Sequence, residues 1–293
     1  MTPLEFHARQ STMTSPGRYA RRLAALPDDL GALARTVQGL AIYDVAARDF
    51  YGVDLPRKRI DQIHLRRVED MLDRVLAMDD RPLAQERIPR QRLASRCRGF
   101  VALLLSMSRA KGVAARARSG FGAYFNPGTF EDHWACEAWN ATTERWVLAD
   151  PQFDEIWRDR LGVRHDVLDV PRDQFLVAAD AWRLCRTGKA DASRFGINFG
   201  GLRGLWFIAG SLVRDIAALN GVEMLPWDVW GAQPQSKRRL ERSELEYFDH
   251  LAELSRDPDA SFAELREAYA GDERLRVPAR VFNVLRERSE SIN

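Results

Sequence analysis

Between Cys97 and Lys111 the chain reads CRGFVALLLSMSRAK, and its apolar residues point in too many directions for a surface helix. Phe100, Leu103, Leu104 and Met107 recur at helical spacing, while Val101 and Leu105 fall on another side. A helix apolar on more than one face has to be packed on both, so this run is read as a central helix. Gly112 follows it at the usual position of a left-handed cap.

The segment before the helix, DDRPLAQERIPRQRLASR (79–96), is rich in proline and charge and is expected to run irregularly. Such a lead-in sets Cys97 in the first helical turn, where unpaired N–H groups and the helix dipole favour a thiolate. After the helix, VAARARSGFGAYF alternates like a strand, and Asn126-Pro127-Gly128 signals a turn. EDHWACEAWN then places His133, Ala135, Glu137 and Trp139 on one side, with Trp134, Cys136 and Ala138 on the other. In RWVLAD, Trp146, Leu148 and Asp150 share a side. A hairpin turning at Ala141 and Thr142 would set His133 opposite Asp150, with Cβ atoms about 5 Å apart.

Cysteine, histidine and aspartate in this order are the parts of a thiol nucleophile, its base and the carboxylate that orients the base. The expected catalytic residues are therefore Cys97, His133 and Asp150. The backbone N–H of Cys97 is one candidate oxyanion donor, and the side chain of Gln91 is the candidate second. Cys97, Cys136, His133 and Asp150 could instead be metal ligands, but His133 and Cys136, three apart in a strand, point to opposite faces. No metal or cofactor is expected. Cys136 and Cys185 are read as core, and Glu137 as a polar strand position or part of the cleft wall.

The runs Cys97-Arg98-Gly99-Phe100, Gly112-Val113-Ala114-Ala115-Arg116, Asp132-His133-Trp134-Ala135-Cys136-Glu137-Ala138-Trp139 and Trp146-Val147-Leu148-Ala149-Asp150-Pro151 together resemble the core of the transglutaminase-like superfamily. The resemblance covers residues 80 to 155. It implies an α+β, papain-like fold in circularly rearranged form: a central helix carrying Cys97, packed on an antiparallel sheet carrying His133 and Asp150. It also implies attack on an amide or peptide carbonyl, loss of an amine to leave a thioester, and transfer of the acyl group to water or to another amine. The expected function is thus a cysteine hydrolase, a peptidase or amidase. An amine acyltransferase, of the cross-linking or natural-product amide-forming type, is the alternative. A non-catalytic interaction module that kept the fold is a third reading. The partner would be a peptide, protein or small amide substrate, with an amine acceptor in the transfer case.

The flanks bound the rest. Residues 1–79 read as a helical N-terminal extension, 80–175 as the catalytic core, and 176–293 as a mainly helical C-terminal region packed on it. Residues 1 to about 15 look like a loose leader, Asp61 to Met78 like one amphipathic helix, and Ser236 to Asn293 like charged helix. The glycine-rich stretch from Gly188 to Gly204 is expected to be a loop, with Trp206, Trp227 and Trp230 as a wall or lid, or else as plain core. A formal charge of +2 and interspersed acids argue against nucleic acid. Only four of 44 basic residues are lysine, and the arginine bias is assigned to solvated helix faces. No signal-peptide pattern or membrane-length apolar run is found, and three cysteines suit no disulfide framework. A cytoplasmic location and no membrane partner are the expectation.

Overall fold

The apolar run forms its helix where the pattern puts it, and every residue from Cys97 to Arg109 is buried. The computed structural model describes residues 1–234 and 237–292. In chain order its helices and strands begin with α1 (Pro3–His7), α2 (Ala20–Ala24), α3 (Leu30–Leu40), β1 (Ala41–Tyr43), α4 (Ala47–Tyr51), α5 (Arg57–Ile60), α6 (Val68–Met78), β2 (Leu93–Ser95) and α7 (Cys97–Ala110). They continue with β3 (Ala115–Gly122), β4 (Phe130–Asn140), β5 (Arg145–Ala149), α8 (Glu155–Leu161), β6 (Phe175–Val177), α9 (Ala178–Arg186), β7 (Phe195–Ile197) and β8 (Leu202–Arg203). Last come α10 (Leu205–Leu219), β9 (Asp228–Val229), α11 (Arg242–Arg256), α12 (Phe262–Gly271), β10 (Arg280–Asn283) and β11 (Arg288–Ser291).

The protein is mixed α and β. Its largest sheet has the strand order β6-β3-β4-β7-β8, with β5 also paired to β4. The β4–β5, β3–β6 and β7–β8 pairs are antiparallel, whereas β4 and β7 run parallel. The antiparallel sheet that the resemblance implies is corrected there to a mixed one, because the chain passes through α8 and α9 before it reaches β7, the long connection a parallel neighbour requires. Two compact units result, residues 1–117 with 135–170, and residues 118–134 with 171 onward. Both β3 and β4 carry the chain from one unit into the other.

In the first unit α7 packs against α2, α3, α6 and β2. The parallel pair β1–β2, with Ala41 opposite Leu93 and Tyr43 opposite Ser95, delivers the chain into Cys97. The amino terminus is not a loose leader. Thr2 and Glu5 form a capping box on α1, Gln10 Nε2 donates to Ser106 O at 2.9 Å, and Arg109 donates to His7 O and Thr14 Oγ1. The helix expected over 61–78 splits into a 3₁₀ turn, Asp61–His64, and α6, because Gln62 Oε1 is committed to the Ala94 N–H of β2 at 3.0 Å.

The arginine bias does not stop at the surface. Arg66, Arg87, Arg92, Arg98, Arg109, Arg116, Arg118 and Arg214 are all buried. Arg87, 0% exposed, donates to the carbonyls of Asp79, Arg81, Pro82, Leu83 and Gln85 at 2.6–3.3 Å. Its guanidinium organises the proline- and charge-rich lead-in from within.

In the second unit α10 packs against α9 and α11. A buried ion pair ties β3 to α10: Arg118 Nη2 reaches Asp215 Oδ2 at 2.9 Å, and Asp215 Oδ1 accepts from Arg118 Nε and from the Ser119 N–H. Arg118 Nη2 also donates to Ser255 O on α11. The glycine-rich stretch is not a plain loop, since β7 and β8 form within it. The C-terminal stretch is helical only through α11 and α12, after which β10 pairs with β9 and β11. Ser236 and Asn293, the ends of that expected helix, lie outside the described residues. Among the described residues no helix is long and apolar enough to cross a membrane.

Candidate active site

Cys97 is the first residue of α7. Its N-cap, Arg96, has extended backbone angles and provides no side-chain cap. Of the first-turn N–H groups, those of Gly99 and Phe100 donate to Arg96 O, and residue 97 stands at the positive end of the helix dipole. The Cys97 side chain is 6% exposed. Close approach of β2 to the first turn requires glycine at position 99, where a Cβ would come within 2.0 Å of Ser95 Oγ. Arg96 pairs with the buried carboxylate of Asp44 through two nitrogens and lies 5.5 Å from the centroid of the Tyr43 ring. Burial opposes the Arg96 charge, the hydrogen-bonded Asp44 outweighs it, and the guanidinium is held firmly protonated beside the thiol.

Asp150 directly follows β5 and is 1% exposed. Its N–H donates to Val167 O at 2.7 Å, and its Oδ1 accepts the Gln152 N–H at 3.1 Å. The hairpin register differs from the expected one. Asn140 faces Arg145 and Cys136 faces Ala149, the last pair of the ladder. Asp150 thus falls beyond the pairing, and an extended ladder would bring it beside Ala135 rather than His133. The reason lies in the turn: Asn140 Oδ1 accepts the N–H groups of Thr142 and Thr143, and Glu144 takes φ 48°, so four residues cross over instead of two. The shift is by two positions, and the expected facing of each side chain is retained.

The turn that carries Asp150 is anchored on the elements leading into Cys97. Phe153 packs on Trp157 (5.4 Å between ring centroids), Trp157 on Tyr43 (5.4 Å), and Tyr43 pairs with Ser95. The Tyr51 hydroxyl donates to Asp154 at 2.6 Å. Cys97 and Asp150 therefore belong to one packed neighbourhood of the first unit.

His133 belongs to the second unit. It sits in the first half of β4, 2% exposed, with its ring 4.8 Å from Phe125, 6.1 Å from Tyr124 and 6.2 Å from Phe175. Its neighbour Asp132 points to the other face. Burial raises the Asp132 carboxyl above the ordinary carboxylate range, opposed by Arg214 at 3.7 Å. Arg214 is positioned in turn by Ser211 and Gln233. Sequence reasoning missed this pair because no periodicity links residues 132 and 214.

Comparison with family models, curated proteins and solved structures found no match.

The remaining sequence candidates are placed as follows. Burial pushes the thiols of Cys136 and Cys185 up to about 12, so neither is a nucleophile at neutral pH. Glu137 is committed to Arg116 at 2.6 Å, beneath which lies the Trp146 ring, 4.0 Å from the Arg116 carbon. Gln91 is half-buried at the end of the 3₁₀ turn Pro89–Gln91, and its N–H donates to Ile88 O. Trp230 is buried and donates to Leu275 O, and Trp206 donates to Arg203 O. Trp227 is half-buried. Among the described residues no group of three or more His, Cys, Asp or Glu side chains is disposed to hold a metal ion.

Proposed function

We propose that this chain is a cysteine-dependent acyl-transfer enzyme, a peptidase or amidase of the papain-like, transglutaminase-like kind, with Cys97, His133 and Asp150 as its catalytic residues. The observation that carries the reading is the contrast among the three thiols. Cys97 stands at an uncapped helix start beside Arg96, whereas Cys136 lies inside β4 and Cys185 in the last turn of α9. The order helix, strand, strand, strand from α7 to β5, with Cys97 on the helix and His133 and Asp150 following, also supports it.

In this scheme the Cys97 sulfur attacks the amide carbonyl carbon, and His133 takes the thiol proton. The tetrahedral oxyanion is met by the Cys97 N–H, with Gln91 as the proposed second donor. Collapse breaks the C–N bond, His133 hands its proton to the leaving amine, and a thioester remains. Water, or an amine acceptor, then attacks the thioester and restores the thiol. Asp150 keeps the imidazole in one tautomer. A reducing, cytoplasmic setting would keep Cys97 in working form.

One observation favours a second reading. Cys97 and His133 are 6% and 2% exposed, a depth that suits a binding module which kept the fold. Labelling by dilute iodoacetamide with peptide mapping separates the two, using wild type and His133→Ala. Rapid modification confined to Cys97, slowed at least ~10-fold by the histidine change, supports the enzyme. Equal labelling of the three thiols, or none before unfolding, refutes it. The role of Gln91 falls if Gln91→Ala leaves kcat/KM unchanged.

A further inference from the structure

The turn after Asp150 holds a side chain that the proposed chemistry has not used. Gln152 is 2% exposed, and neither Nε2 nor Oε1 of its carboxamide has a hydrogen-bond partner. Its backbone N–H is fixed to Asp150 Oδ1 at 3.1 Å, and the next residue, Phe153, begins the ring contacts through Trp157 to Tyr43, the strand partner of Ser95 two residues before Cys97. A buried amide with both functions unmet carries a desolvation cost that replacement by an apolar group would remove. Folding alone gives no reason to keep it.

We infer that Gln152 is a specificity residue for the acyl-transfer reaction proposed above, a role that rests on that reading, and that its carboxamide recognises a neutral amide in the substrate. A carboxamide offers one N–H donor and one C=O acceptor side by side, the mirror of what a peptide bond or primary amide presents. Nε2 donates to the substrate carbonyl and Oε1 accepts the substrate N–H. An ester can satisfy only the first of these bonds, and a carboxylate only the first with an added charge to bury. A site that buries a donor and an acceptor rejects the analogue that leaves one unpaired. What Gln152 adds to the amide chemistry proposed above is the choice of amide over ester or free acid.

The test uses two small electrophiles that differ only in this group, iodoacetamide and methyl iodoacetate. Rate constants for modification of Cys97 are measured by peptide mass and divided by those for N-acetylcysteine, in wild type, Gln152→Met, Gln152→Glu and His133→Ala. Methionine keeps the length and loses both polar functions; glutamate keeps the shape and loses the donor. The expected result is a fall of about tenfold in the amide-to-ester ratio in both Gln152 variants, with a urea midpoint for Gln152→Met unchanged or raised. His133→Ala should slow both reagents alike. An unchanged ratio in the Gln152 variants, with His133→Ala slow, overturns the role of Gln152 and leaves the enzyme reading standing. A lowered urea midpoint for Gln152→Met means that the carboxamide has a structural partner, and also overturns it. If His133→Ala changes neither rate, the parent reading fails and this one with it.

Discussion

Replacement of Gly99 by alanine tests how α7 is seated. An added Cβ would lie 2.0 Å from Ser95 Oγ and 3.4 Å from Ser95 Cβ. The first distance is over 1 Å inside van der Waals contact, roughly where overpacking costs 1–3 kcal/mol, while the second is an ordinary contact. Alanine in place of glycine within a helix returns up to about 1 kcal/mol. Ser95 is itself buried, and its hydroxyl donates to Arg96 O at 3.3 Å, which resists rotation out of the way. Gly99→Ala is therefore expected to lose about 1–2 kcal/mol. In a Ser95→Ala background the clash is gone, and the same substitution should be neutral or stabilising. Urea unfolding of the four proteins gives the coupling energy directly, expected near 2 kcal/mol. A value below ~0.5 kcal/mol would mean that Ser95 turns aside freely, and would refute the close seating of β2 against the first turn of α7.

Other substitutions probe the two units separately. Asp215→Ala leaves the guanidinium of Arg118, whose side chain is 2% exposed, without its carboxylate, and should cost about 3–5 kcal/mol by urea unfolding. Burial, and then the hydrogen bonds to Asp154 and Asp272, raise the phenols of Tyr51 and Tyr247 above the ordinary tyrosine range. The folded chain keeps these protons longer than the unfolded one, so their contribution is complete below pH ~10 and is lost as pH rises beyond it. Tyr51→Phe should accordingly lower stability by about 1 kcal/mol at pH 7 and flatten the alkaline decline measured by urea midpoints. Cys136 and Cys185 should resist iodoacetamide at pH 8 and react fully once urea unfolds the chain, which peptide mapping would read out.

What the sequence made legible was local. The apolar run gave α7 almost to the residue, and Gly112 ends the helix region with φ 76° as its position requires. The β4–β5 hairpin was legible in its strands and faces but not in its register, because the crossover is set by the Asn140 side chain and by one left-handed residue, Glu144, whose type gives no warning. The stretch around Gly196 looked like loop for the opposite reason. That glycine sits at φ 144° with Leu202 O where a Cβ would be, so here glycine marks two strands in close approach rather than slack. The strands β10 and β11 escaped notice because Arg280, Arg288 and Glu290 give them no apolar alternation. At the proposed site, position in the chain singled out Cys97 and Asp150 as candidates, while Gln152 carried no pattern at all: its distinction is a missing partner, visible only once the surroundings are built.

The five carbonyls around Arg87 belong to the backbone, not to side chains. Bonds of that kind do not depend on which residues stand at positions 79, 81, 82, 83 and 85. The loop is thereby released from most demands on its own composition, and the demand is concentrated on a single position. A lysine there, with one nitrogen and no planar fork, could not span the same ring of acceptors. Drift at the exposed positions of the lead-in to Cys97 is tolerable so long as residue 87 stays arginine, and a saturation library across 79–87 should be most restrictive at Arg87 and at the buried Leu83.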